Sequence, residues 1–156
     1  ILIIYVKNML SEREIRAIAQ TIIRAEKINA QVKFLPYQGF VEKAKKSPLV
    51  KMALEKGSDF YDLNVPSIFS HKTNTIYFNK KMLSKLLHDE TISVQKKFIK
   101  AITYHELFHY LNKKRMKKKT FKAAIFSENK AEHDFKKRFP ELAALGKRIA
   151  SKHEND

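Results

Sequence analysis

The spacing of hydrophobic and polar positions divides the chain into a mixed first half and a helical second half. Residues 1–7 (ILIIYVK) form an apolar run rich in β-branched side chains and read as a buried strand. Ser11 with Glu14 makes a capping box, and Ile15, Ala19, Ile22 and Ile23 then recur at helical spacing. Residues 31–36 (QVKFLP) alternate polar and apolar, the period of a second strand. A helix is expected from about Val41 to Leu54, ending near Gly57. In residues 67–79 (SIFSHKTNTIYFN), Ile68-Phe69 and Ile76-Tyr77-Phe78 flank the polar turn Lys72-Thr73-Asn74, which predicts a β-hairpin.

From there the pattern is helical. A short helix is expected over about 80–87, and a long one over about 91–112 with Val94, Phe98, Ala101 and Ile102 turned to the core. Two more follow over about 120–138 and 141–153, separated by Pro140. Strands that come early, with helices between and then only helices, predict an α+β fold. Its sheet would be small and mixed with a hairpin edge, and its helices would pack on one side.

Composition narrows the class. A length of 156 residues fits one domain, 1–156, and 44% hydrophobic content is ordinary for a globular protein. The chain has no cysteine, which removes disulfide frameworks and thiolate metal sites. The longest apolar run, Ile1–Val6, is far short of the roughly 20 residues needed to span a bilayer. It also lacks the basic flank and cleavage site of a secretory signal, so the expectation is a cytoplasmic protein with no membrane partner.

The formal net charge is +16, unevenly spread. Residues 113–122 (KKRMKKKTFK) hold seven Lys or Arg and no acid, whereas residues 128–156 hold seven basic against six acidic. A local block of this kind points to DNA or another polyanion as partner, with Lys113, Lys114, Arg115, Lys117, Lys118 and Lys119 as the contacting residues. A solvated Lys-rich surface explains the same composition without any ligand.

The sharper chemistry lies in His105-Glu106-Leu107-Phe108-His109, inside the long predicted helix. Histidines four apart share a helix face, separated along the axis by roughly 6 Å at about 1.5 Å per residue. Both rings can then converge on one zinc ion at about 2.0–2.1 Å. Glu106, at the border of that face, can act as general base toward water. Catalytic zinc takes three protein ligands, so the third must come from downstream. Glu128 lies 19 residues after His109, with small Ala131 and acidic Glu132 one turn further on. Glu132 can accept a hydrogen bond from the far nitrogen of a ligand histidine. His133 is the competing ligand, or an oxyanion donor; it stands about 140° around the helix from Glu128, so both are not expected to bind one ion. His71 and His88 lack partner spacing and read as structural or surface residues. An oxyanion donor can come from Tyr104, Tyr110, His133 or the hairpin.

These residues resemble the gluzincin metallopeptidases, whose pattern is His-Glu-x-x-His on an active-site helix, then Glu-x-x-small-acid on a following glutamate helix. Here the elements are His105, Glu106 and His109, then Glu128, Ala131 and Glu132. The resemblance covers about residues 67–140. It implies a zincin-like fold, Zn2+ as cofactor, ligands at His105, His109 and Glu128, Glu106 as base, and a protein or peptide substrate. Where this chain has Glu132 the family often has Asp. Among subgroups it looks like the minimal cytosolic gluzincins or the repressor-cleaving peptidases of mobile elements. The stretch His133-Asp-Phe135-Lys-Lys is also similar to the SprT-like (Spartan) proteases, which act on DNA-bound proteins with a third histidine as ligand. The glycine usual after that histidine is absent, and the gap from His109 is long for that group. The rival class is a basic DNA-binding protein whose metal site is structural or vestigial. No helix-turn-helix, zinc-finger or aromatic RNA-binding motif supports it.

Overall fold

The computed structural model describes residues 8–47, 50, 51, 55, 65–111 and 121–151, the stretch 121–128 by its backbone alone. The strand expected at 1–7 and the basic residues 113–119 fall outside these. Ser11 caps α1 (Glu12–Ala25) with both bonds of the capping box, Glu14 N–H to Ser11 Oγ and Ser11 N–H to Glu14 Oε1, each 3.1 Å. Ile15, Ala19, Ile22 and Ile23 are all buried. Strand β1 is Gln31–Leu35, and α2 runs Tyr37–Lys45. That helix starts four residues earlier than its expected start near Val41. Pro36, in extended geometry, takes the N-cap position, where its missing N–H costs nothing. Ser47 interrupts the helix, and Val50, Lys51 and Glu55 are helical again.

The hairpin forms as β2 (Ser67–Ser70) and β3 (Thr75–Asn79), joined by a turn over 71–74 with Asn74 at φ 48°. Asn tolerates that left-handed conformation better than most residues. The sheet order is β1-β3-β2, with β3 parallel to β1 (Val32 opposite Ile76) and antiparallel to β2 (Ser67 opposite Phe78). The fold is therefore α+β with a small mixed sheet, and β2 is an edge strand among the described ones.

All five residues of β3 are buried, which requires cover on both faces. Ile76 and Phe78 enter the main core with Ile15, Leu87, Phe98 and Ile102. Tyr77 points the other way, and Lys43 of α2 lies 5.6 Å over its ring. Helices thus lie on both sides of the sheet, not on one. Alternation in a five-residue strand carries no mark of which polar positions a short helix will cover.

Four helices complete the chain: α3 (Lys80–Leu87), α4 (Ile92–Leu111), α5 (Phe121–Arg138) and α6 (Pro140–Ser151). Pro140 opens α6 rather than standing between helices, as proline readily does at a first helical position. The centre of the molecule is α4. It packs against α1, α5, α6 and β2, and buries residues on every side, including Gln95, Thr103 and Glu106. Gln95 is satisfied by Leu10 N–H, Asn8 C=O and Glu90 C=O. A second core joins α4 to α5 through Ala101, Phe108, Ala131 and Phe135. Among the described residues, no helix is long and apolar enough to cross a membrane.

Candidate metal centre and cleft

One stripe of α4 runs Phe98, Ala101 with Ile102, His105 and His109, advancing three or four residues per turn, and it forms one wall of a cavity of about 640 Å³. The N-terminal part of the stripe is apolar and continues the core; its C-terminal part carries the two imidazoles. The opposite walls come from Val50, from Ser67, Phe69 and His71 of the hairpin, from Asn129, Glu132 and Phe135 of α5, and from Ala143 and Gly146 of α6.

The rings of His105 and His109 stand 4.8 Å apart between centroids at 64°, as i,i+4 positions on one face allow. Phe135 lies 5.7 Å from His105 and backs its ring. Burial lowers the His105 pKa from 6.5 to about 4. Burial also holds the His109 pKa well below 6.5, and the neighbouring His105 and His71 lower it further. Both rings are therefore neutral at pH 7, the form that offers a nitrogen lone pair to a metal ion. Glu106, one residue on, is 4% exposed; its Oε1 accepts from Ser67 Oγ at 3.0 Å and lies 4.0 Å from His105 Nδ1.

Two partly buried, neutral imidazoles one turn apart fit the nitrogen ligands of a zinc ion, which also needs a third donor. Among the described residues, no group of three His, Asp or Glu is arranged to hold an ion. Position 128 lies on α5 one turn before Glu132, and the Glu128 side chain is outside the described part. Ala131 is fully buried where α5 meets α4, so a small residue there does permit close approach of the two helices.

The structure separates the remaining candidates. Glu132 is on the cavity wall. His133 is exposed on α5 and is not in the cavity lining. Tyr104 stacks on Phe139 at 4.2 Å and Tyr110 meets Phe69 edge-on at 5.7 Å; neither lines the cavity. His71 does line it, its ring edge-on to Phe69 at 5.0 Å. Reading His71 as a structural or surface residue overlooked this placement, because a histidine in a hairpin turn has no local spacing to relate it to a helix some thirty residues on. Ser67 carried no sequence signal either. No model of a known protein family matches the chain, and neither a curated protein nor a solved structure does.

Proposed function

We propose that the chain is a zinc-dependent peptidase of gluzincin type, with a zincin-like core made of the hairpin, α4 and α5. The observation that carries this reading is the pair of neutral imidazoles on one face of α4 with a buried carboxylate beside them, at the head of a cleft. His105, His109 and Glu128 would hold the ion, and Glu132 would orient a ligand ring from α5. When bound, zinc supplies Lewis acidity toward water and toward a carbonyl oxygen.

The chain's own groups supply the rest. Glu106 takes the proton of the attacking water and delivers it to the leaving amine. His71, on the cavity wall, donates to the carbonyl oxygen as it gains charge. An extended peptide pairs with β2, an edge strand among the described residues, and an apolar side chain enters the space between Val50, Phe98 and Ile102. The basic block at 113–119, which begins four residues after His109 in sequence, holds DNA or another polyanion, and the substrate would then be a protein bound to it.

The test is hydrolysis of a quenched-fluorescent peptide library by zinc-loaded protein. Wild type cleaves, while Glu106→Gln keeps its zinc and loses at least about 100-fold in rate. Full turnover by Glu106→Gln would defeat the proposal.

A further inference from the structure

Ser67 is 6% exposed at the start of β2, and its hydroxyl reaches Glu106 Oε1 at 3.0 Å from a strand 39 residues away in sequence. A carboxylate withdrawn from water in this way keeps its orientation through the donors around it. The donor here is itself fixed. Asn79, fully buried at the end of β3, donates its backbone N–H to Pro66 C=O at 2.8 Å and its Nδ2–H to Val65 C=O at 3.2 Å. The Oδ1 of the same side chain accepts from Met82 N–H at 3.3 Å and caps α3. Residues 65, 66 and 67 are thereby tied to β3 and to the N-terminus of α3 before Ser67 meets Glu106.

We propose that Ser67 is a positioning residue. Its hydroxyl holds the Glu106 carboxylate in the orientation from which it takes a proton from water, and Asn79 sets the place of Ser67. This deepens the peptidase reading and rests on it. A general base must sit within hydrogen-bond reach of the proton it takes, and a misplacement of about 1 Å costs on the order of 100-fold in rate. A serine fixed through a paired strand meets that demand in a way a mobile loop residue would not.

The experiment uses Ser67→Ala and Ser67→Thr in the full chain, zinc-loaded, with the library peptide that wild type cleaves fastest. Ser67→Ala should lower kcat by about 10- to 100-fold with KM within about threefold and zinc content unchanged; Ser67→Thr, which keeps the hydroxyl, should return to within about threefold of wild type. A Ser67→Ala protein retaining more than a tenth of wild-type kcat, or a Ser67→Thr protein as impaired as Ser67→Ala, would overturn the proposal. A second readout needs no activity. In the zinc-free protein, the unfolding-midpoint shifts of Ser67→Ala and Glu106→Ala, each of which removes one partner of the hydrogen bond, should fail to add in the double variant, and additive shifts would equally overturn it. A wild type that loads zinc and cleaves nothing would end the peptidase reading, and with it the catalytic part of this proposal, whereas non-additive shifts in the same proteins would still establish Ser67 as the holder of Glu106.

Discussion

Lowering the pH should destabilise the metal-free protein through the two helix histidines before most carboxylates titrate. Burial brings His105 from 6.5 to about 4. A folded-state pKa below the unfolded one means that the unfolded chain binds the extra proton. Above pH 6.5 the ring is neutral in both states and contributes nothing. As the pH falls from 6.5 toward 4 the folded state pays an increasing penalty, complete below about 4. At about 1.36 kcal/mol per unit the full shift is roughly 3 kcal/mol. The His105 side chain remains 32% exposed, and solvent screening brings the expected loss to about 1–2 kcal/mol. Urea unfolding of zinc-free wild type and His105→Gln at pH 7, 6 and 5 isolates this contribution, since other groups titrate in both. The wild-type curve should lose about 1 kcal/mol or more relative to the variant between pH 7 and pH 5. Parallel curves would show that the ring is not held in a medium that disfavours its charge, and would undo the argument that both imidazoles are ready ligands.

Three further outcomes follow from the same geometry. Phe135→Ala removes an 8%-exposed ring from between His105, Phe108 and Phe139 and should cost about 3 kcal/mol of stability by chemical denaturation; a loss under about 1 kcal/mol would show that α5 does not close this core. Glu128→Ala should empty the centre of zinc while His133→Ala leaves it filled, as read by elemental analysis; the reverse would make His133 the third ligand and favour the SprT-like arrangement. Neutralising Lys117, Lys118 and Lys119 as glutamines should weaken binding to duplex DNA and lower the salt slope by about 3, and an unchanged slope would detach the basic block from any phosphate contact.

Much of this architecture was legible in the residues because it is written in local patterns. The Ser11–Glu14 box, the alternation about Asn74 and the stripe through Phe98, Ala101 and Ile102 each need only a few neighbours in sequence, and each forms where its pattern lies. The early start of α2 was not legible in the apolar spacing, because Pro36 sets it through its restricted backbone. The two faces of β3 escaped for a different reason. Tyr77 is amphipathic, and it is buried on the side of the sheet where Lys43 of α2 lies over its ring. Within the candidate centre, His105 and His109 were visible as one helical face with Glu106 at its border. The contributions of Ser67, His71 and Asn79 were not, since they arise where the hairpin meets a helix more than 30 residues further on, and a single sequence holds no record of that packing.

The proposed chemistry requires one divalent ion shared by the His105 and His109 rings of α4. Elemental analysis of the purified protein after incubation with one equivalent of zinc and removal of the excess measures this directly. Wild type should retain about one zinc per chain, and His105→Ala and His109→Ala, each folded by circular dichroism, should retain almost none. A wild type that retains none, or variants that retain as much as wild type, would contradict it.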